Sequence, residues 1–146
     1  MFLIEDPKNE TYFKLIDLAF VTSDTFILVV RKDMSVSSGV DKILNKLTDS
    51  LLEMKEQSEW ICCKLFGGVA QVYYYKTTDE AKKVLKEVSN SLYQWVQPDF
   101  PEDLSFIKNG DPWLINIAHE RESYIKTEDK NEIEKILDIK GLNIRL

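Results

Sequence analysis

The side chains best suited to acid–base or ligand chemistry lie in one stretch, residues 98–122. This stretch holds three of the four prolines, one of the three tryptophans and the only histidine of the chain. Around the turn at 109–110 it also gathers five carboxylates and the histidine: Glu102, Asp103, Asp111, His119, Glu120 and Glu122. Carboxylates beside a histidine can act as general acids and bases. A chemically distinctive site is therefore expected here.

The histidine does not belong to a zinc-hydrolase motif. That motif needs a second histidine one helical turn later, but the fourth residue after His119 is Ser123. A Ser/His/acid triad stays open, because its members meet in space rather than in sequence. If the protein is an enzyme, the candidates are His119, Glu120 and Asp103. The simpler interpretation is a structural histidine, with Asp103 in a loop that turns into a strand.

The two cysteines, Cys62 and Cys63, are neighbours in the sequence. On a strand they point to opposite faces, and a bond between adjacent cysteines is strained. We therefore interpret them as reduced packing residues in a reducing compartment. One histidine and two adjacent thiols do not supply an ordinary zinc shell, so the sequence predicts no metal and no cofactor. Gly67-Gly68 is interpreted as a hairpin turn, since no Lys-Ser/Thr follows it as in a phosphate loop.

Length and composition predict one cytoplasmic domain spanning residues 1–146. The chain has 146 residues, of which 44% are hydrophobic and 30% charged, as in ordinary globular proteins. No apolar run is long enough to span a membrane. The first residues lack the basic start and long apolar core of a secretion signal, which favours a cytoplasmic location.

The charge balance favours a basic protein partner. With 25 acidic and 19 basic residues, the formal net charge is −6. Such a surface repels nucleic acids and anionic membranes, and it attracts basic proteins. The sequence therefore predicts neither a nucleic-acid nor a membrane partner, and it leaves the oligomeric state open.

Periodicity and turn signals predict an α+β fold. The expected elements, in order, are strands at 13–20 and 25–31, a helix at 38–57, a hairpin of 60–66 with 69–76, a helix from 77 to just before Pro98, a hairpin of 104–107 with 113–118, a helix from 127 to Gly141 and a short strand at 142–146. This ββαββαββα order indicates a largely antiparallel sheet of about six strands with the helices packed on one face.

The predicted hairpin register around Gly67-Gly68 places three large rings together. Counting outward from this turn pairs Trp60 with Tyr75 and puts Tyr73 on the same strand face. Tyrosine and tryptophan often anchor protein interfaces. The candidate binding residues are therefore these three rings together with the acidic residues Glu102, Asp103 and Asp111. Burial of the rings under a helix or another hairpin is the alternative.

The stretch from Pro101 to Glu120 resembles a group of small, mostly uncharacterised bacterial proteins. The matching residues are Pro101-Glu-Asp-Leu-Ser-Phe, then Trp113-Leu and His119-Glu120. Some members of the group carry the label of a stage III sporulation protein. A sporulation-channel component of that name would be expected to carry a membrane anchor, which this sequence lacks. The resemblance implies a bacterial cytoplasmic origin and supplies no catalytic residue.

These observations favour a non-enzymatic acidic binding module. An immunity or antitoxin-like protein that neutralises a basic partner is the leading hypothesis, because acidic surfaces speed the encounter with basic proteins and aromatic anchors hold them. The alternative is a small enzyme or ligand-binding domain that uses His119 with nearby carboxylates.

Overall fold

The computed structural model describes residues 1–61 and 63–146. In these residues an antiparallel eight-stranded sheet is accompanied by four α-helices and a separate two-stranded ribbon. The α+β class and the antiparallel sheet are confirmed. The described residues form ten strands instead of about six, and the order of elements differs from the predicted one.

The helices and strands have the following bounds. The helices are α1 (Glu10–Thr22), α2 (Ser38–Lys46), α3 (Asp79–Val88) and α4 (Lys130–Leu137). The strands are β1 (Phe2–Leu3), β2 (Thr25–Arg31), β3 (Leu51–Gln57), β4 (Glu59–Trp60), β5 (Cys63–Lys64), β6 (Ala70–Lys76), β7 (Glu102–Lys108), β8 (Asp111–Ile117), β9 (Glu122–Ile125) and β10 (Ile144–Arg145). The large sheet has the order β10-β1-β9-β8-β7-β2-β6-β3, and β4 pairs with β5 in the ribbon.

The two faces of the large sheet are covered differently. Side chains from all four helices pack with Phe26, Tyr75 and Phe106 in one large hydrophobic cluster. On the other face, Trp60 of the ribbon packs in a smaller cluster with Ile27, Val29, Ala70 and Val72. Successive side chains of β2 and β6 point to opposite faces of the sheet, so each strand contributes residues to both clusters.

The segment 13–20 was predicted to be a strand and instead forms most of α1. The buried residues Tyr12, Leu15, Ile16 and Ala19 of α1 recur at helical spacing. A short run that is apolar at most positions fits both a strand and a buried helix, so periodicity alone did not separate them.

The predicted helix 38–57 is wrong in its second half. α2 ends at Lys46, and a 3-10 turn at Thr48–Ser50 leads into β3. Leu51 and Met54 continue the helical spacing of apolar residues even though they lie in a strand. The reason is that the pairing of β3 with β6 is irregular between Leu51 and Glu53. This irregularity puts two residues that are three apart opposite Tyr75 and Tyr73, on the same face of the sheet.

The predicted pairing of 60–66 with 69–76 is also wrong. Gly67 and Gly68 do have positive φ, at 103° and 75°. However, β6 pairs with β3 and β2, while Trp60 lies opposite Cys63 in the ribbon. The helical spacing across 38–57 hides the strand at 51–57, which is the true partner of β6.

The predicted hairpin around Asn109-Gly110 is confirmed. It is formed by β7 and β8, and the φ angles of Asn109 and Gly110 are 50° and 85°, as a type I′ turn requires. The register holds up to Ile107 and Pro112 and then shifts, so that Phe106 lies opposite Leu114 rather than Trp113.

The other helices are shorter than predicted. α3 ends at Val88, and Leu92–Gln94 form a separate 3-10 turn. α4 begins after Asp129, whose carboxylate accepts hydrogen bonds from the backbone N–H groups of Asn131 and Glu132. The expected terminal strand is present as β10, which pairs with β1.

Candidate functional site

The candidate site begins at an irregular residue where β7 enters the sheet. Opposite β2, the register jumps between the pairs Ile27–Ser105 and Val29–Glu102. Asp103 lies inside this bulge with a φ of 57°, in the left-handed region that most residues avoid. Its backbone N–H donates to the carbonyl of Trp95 at 3.0 Å. The bulge directs the side chain away from the regular strand pattern.

The Asp103 carboxylate joins the start of β7 to the end of β8. Its Oδ1 accepts a hydrogen bond of 2.8 Å from the backbone N–H of Ala118. The Nδ1 atom of His119 lies 3.1 Å from Oδ1 and 3.0 Å from Oδ2. Asp103 is fully buried, whereas a quarter of the His119 side chain is exposed. The imidazole therefore closes the site toward solvent.

Glu102 brings a second buried carboxylate to the same imidazole. Its Oε2 lies 3.3 Å from Nδ1 of His119, and its Oε1 accepts from the backbone N–H of Gln97 at 3.1 Å. Gln97 is held in turn by the backbone of Arg31, as donor to its carbonyl and acceptor from its N–H. Three parts of the chain thus fix the position of Glu102.

The site carries more negative charge than its contacts neutralise. Glu102 Oε2 and Asp103 Oδ2 are buried, and His119 Nδ1 lies at ion-pair distance from them, 3.3 and 3.0 Å, without hydrogen-bond geometry. Neither oxygen therefore has a hydrogen-bond partner among the described residues. Both face His119, which bears at most one positive charge. A buried carboxylate oxygen without a hydrogen bond is unfavourable.

Burial and this crowding displace the pKa values of Asp103 and His119. Burial raises the pKa of Asp103 to about 6, which the positive imidazole opposes and the Glu102 charge reinforces. For His119, burial lowers the pKa, but the charges of Asp103 and Glu102 outweigh it and leave the pKa raised. The pair can therefore hold or exchange a proton near neutral pH.

Cys63 is the third kind of donor in this cluster. Its Sγ, a carboxylate oxygen of Asp103 and a ring nitrogen of His119 all lie within 4.8 Å of one another. The ribbon positions Cys63, because Trp60 opposite it is buried against the second face of the sheet. Sequence reasoning assigned Cys63 to packing, and no local motif links it to residues 40 and 56 positions later. We call Cys63, Glu102, Asp103 and His119 the four-residue cluster.

Other predicted site residues lie elsewhere. Asp111 is exposed at the tip of the β7–β8 hairpin and lines a groove with Lys126 and Glu128. β7 separates this tip from Glu102 by roughly 20 Å. Glu120 is exposed on the 3-10 turn that carries His119. The predicted acidic surface is therefore split into separate places.

The three aromatic rings do not form one surface. Tyr75 is buried among the helices, whereas Trp60 is buried in the cluster on the other face of the sheet. Tyr73 is half-buried beside Tyr75. The shared face was wrong because the hairpin register on which it depended was wrong. Of the three predicted anchors, Tyr73 keeps a partly accessible ring.

A second unusual surface lies at the edge of the sheet. β3 is the last strand in the order and has only β6 as its sheet neighbour among the described strands. Six of its seven residues are exposed, among them Leu51, Leu52 and Met54 at 38%, 58% and 43%. Tyr73 lies opposite Met54 on the adjacent strand. We call Leu51–Gln57 with Tyr73 the β3 edge.

The comparisons with known proteins supply no relative. Neither protein-family models, nor curated proteins, nor solved structures match this chain. Among residues 1–61 and 63–146, no helix has the length and apolar character needed to cross a bilayer.

Proposed function

We propose that this protein is a non-enzymatic binding module that pairs an extended segment of a basic protein against the β3 edge. The observation that carries this proposal is the exposed edge strand itself. It offers an open row of backbone N–H and C=O groups over seven residues. Such edges template the addition of another strand.

The side chains of the β3 edge favour the addition of a strand with a particular pattern of apolar and charged residues. Leu51 and Met54 lie on the helix-covered face, next to Tyr75 and Tyr73 of β6. An added strand can rest its apolar side chains against Met54 and the half-buried ring of Tyr73. The Lys55 amine lies 5.4 Å from the centre of the Tyr74 ring and 3.3 Å from Glu53, so its charge is held on the opposite face.

Charge selects the chemistry of the partner. The net charge of −6 favours encounter with basic proteins, and Glu53 and Glu56 lie along the edge strand itself. Both carboxylates already have a partner, since Lys32 lies 2.6 Å from Glu56 and Lys55 lies 3.3 Å from Glu53. These pairs are solvent-exposed and weak, so lysine or arginine side chains of an added strand can share or replace them. This charge complementarity contributes more to the rate and specificity of association than to affinity.

An immunity or antitoxin-like role fits this mode of binding. A small acidic protein that covers a segment of a basic partner blocks it without any chemical step. Main-chain hydrogen bonds supply affinity in strand addition, while the side-chain positions supply specificity. The basic partner is the target that such a protein neutralises.

A second candidate function rests on the four-residue cluster. In this reading the chain is a small enzyme or ligand-binding domain that uses His119 with Asp103 and Glu102. The observation that favours it is the convergence of two buried carboxylates on one partly exposed imidazole. A His119→Gln variant separates the two roles. Peptide binding at the β3 edge does not use the imidazole and should be unchanged, whereas a function of the cluster should be lost.

Synthetic peptides test the proposed strand addition directly. Fluorescence anisotropy compares a heptapeptide of alternating Val and Lys with one of alternating Val and Glu. We expect binding of the basic peptide only, weakening as salt concentration rises. The double variant Leu52→Lys with Met54→Lys should lower the affinity at least tenfold, about 1.4 kcal/mol.

Val21→Lys is the matched control, because Val21 is an exposed apolar residue on α1. It should bind the basic peptide as the wild type does. Equal binding of both peptides, or equal loss in both variants, contradicts the proposal. Concentration-dependent dimerisation that the double variant abolishes also contradicts it, because the edge then serves a second copy of this chain.

A further inference from the structure

We infer that the four-residue cluster is a binding site for one divalent transition-metal ion of the zinc type. Cys63, Asp103 and His119 supply sulfur, oxygen and nitrogen ligands. Glu102 lies beside this group, with its Oε2 3.3 Å from His119 Nδ1, and is our candidate for the fourth ligand. This inference does not depend on the function proposed for the β3 edge. It departs from the expectation drawn from the sequence, in which adjacent cysteines and a single histidine indicated no metal.

The separations of the donor atoms fit a small metal ion. The Sγ of Cys63 and the donor atoms of Asp103 and His119 lie within 4.8 Å of one another. Ligand atoms around tetrahedral zinc are roughly 3.3–3.7 Å apart, given bonds of about 2.0–2.3 Å. The Oε2 of Glu102 is already 3.3 Å from Nδ1 of His119. To reach this spacing from separations of up to 4.8 Å, the donor atoms need to close in by up to about 1.5 Å.

The buried oxygens supply an independent reason for a cation. Glu102 Oε2 and Asp103 Oδ2 are both aimed at the cluster and lack hydrogen-bond partners among the described residues. Two carboxylates exceed the single charge that an imidazolium can offset. A divalent ion supplies the missing positive charge and directly coordinates the oxygens.

The other oxygen of each carboxylate, Glu102 Oε1 and Asp103 Oδ1, accepts a hydrogen bond from the backbone. Gln97 N–H donates to Glu102 Oε1, and Ala118 N–H donates to Asp103 Oδ1. Hydrogen bonds to the far side of a ligand commonly fix the ligands of metal sites. Each carboxylate therefore has one oxygen held by the backbone and one directed at the cluster.

The identity of the donors selects the class of ion. A thiolate with an imidazole favours zinc and its neighbours over magnesium and calcium, which prefer oxygen ligands throughout. Binding also links the ribbon to the start of β7 and the end of β8. The metal-bound chain should consequently resist unfolding more strongly than the metal-free chain.

Cobalt substitution tests the site in the full-length chain. The protein is stripped with a chelator, transferred to reducing buffer and titrated with Co²⁺. We expect one ion per chain, a near-ultraviolet charge-transfer band from a thiolate ligand, visible bands typical of four-coordinate cobalt, and displacement by Zn²⁺. Cys63→Ser should abolish the charge-transfer band and weaken binding at least tenfold. Cys62→Ser, which leaves the Cys63 thiol in place, is the matched control and should keep the band.

A measurement on the wild type keeps the inference testable if a variant fails to fold. X-ray absorption of the zinc-loaded chain should show one sulfur at about 2.3 Å and nitrogen or oxygen ligands at about 2.0 Å. Absence of a thiolate band in folded wild-type protein overturns the inference. Retention of the band in Cys63→Ser, or a zinc shell without sulfur, overturns it equally.

Discussion

The four-residue cluster and the β3 edge depart from ordinary protein surfaces in opposite directions. In the cluster, two carboxylates are fully buried, where charged groups are rare unless they are paired. At the edge, three large apolar side chains are exposed on a strand whose outer side is open. Each arrangement costs stability in the isolated chain, and each becomes favourable when something binds. Unsatisfied groups therefore indicate binding chemistry more directly than residue type does.

The two regions should also differ in how strongly they are tied to the fold. Asp103 joins β7 to β8 through Ala118 and His119, so changes there affect several elements at once. Side chains of the β3 edge have few neighbours, so changes there should leave the fold intact.

The largest expected effect comes from removing the carboxylate that joins β7 to β8. Asp103→Ala should lower the free energy of unfolding by about 3–5 kcal/mol, because Ala118 N–H and His119 lose their buried partner. Urea denaturation of the metal-free chain at about pH 4 measures this, because the cost of ionising the buried Asp103 carboxyl is absent at that pH. Asp103→Gly is the matched variant, and it should retain about 1 kcal/mol more stability than alanine because glycine tolerates the φ of 57°. A loss below 1 kcal/mol for Asp103→Ala would show that the bridge does not hold the fold.

The change in the free energy of unfolding with pH should be comparable in size to the effect of Asp103→Ala. The pKa of Asp103 is raised to about 6 in the folded chain, so its carboxyl loses its proton at lower pH in the unfolded chain than in the folded chain. The free energy of unfolding therefore falls as the pH rises from about 4 to 6. The difference from its usual 3.8 corresponds to roughly 3 kcal/mol. The raised pKa of His119 stabilises the fold below pH 6.5, and this contribution is lost as the pH rises through the folded pKa. Asp103→Asn, followed by urea denaturation at several pH values without metal, should flatten the first decline. An unchanged profile would assign that decline to other groups.

Two neighbouring tyrosines on β6 separate the core from the edge. Tyr75→Ala should cost about 3–5 kcal/mol of stability, because this ring is buried and stacked on Phe26. Tyr73→Ala should cost about 1–2 kcal/mol of stability and about 2 kcal/mol of binding to the basic heptapeptide. Thermal unfolding and anisotropy measure the two quantities. If Tyr73→Ala unfolds the chain without a selective loss of binding, Tyr73 is a core residue and not part of a binding edge.

The smallest effect on stability is expected at the β3 edge itself. Leu52→Lys and Met54→Lys should each change the free energy of unfolding by no more than about 0.5 kcal/mol, because both side chains are exposed. Both should bind the basic heptapeptide less tightly. A stability loss above 2 kcal/mol in urea would mean that these residues pack in the free protein.

Local signals in the sequence were sufficient where a turn fixed the geometry. The turn at Asn109-Gly110 predicted its hairpin, and both residues have the positive φ that a two-residue type I′ turn requires. The central strand at 25–31 was also predicted correctly from its apolar run. In both cases neighbouring residues along the chain carry the information.

The errors arose where distant contacts decide the structure. Leu51 and Met54 continue a helical spacing, yet pairing with β6 makes their segment a strand. That one error removed the true partner of β6 and misplaced Trp60, Tyr73 and Tyr75. Likewise, the stretch 98–122 predicted His119 and Asp103 as candidates, but the approach of Cys63 depends on the burial of Trp60.

Hydrogen–deuterium exchange with the Val-Lys heptapeptide tests the proposed strand addition most directly. In the free chain, the backbone amides of Leu51–Gln57 that are not paired with β6 should exchange quickly, while those of Glu102–Lys108 between β2 and β8 are already protected. Adding the peptide should slow exchange within Leu51–Gln57 and leave Glu102–Lys108 unchanged. If saturating peptide leaves Leu51–Gln57 unprotected, or protects only residues outside the β3 edge, strand addition at this edge is not how the protein binds.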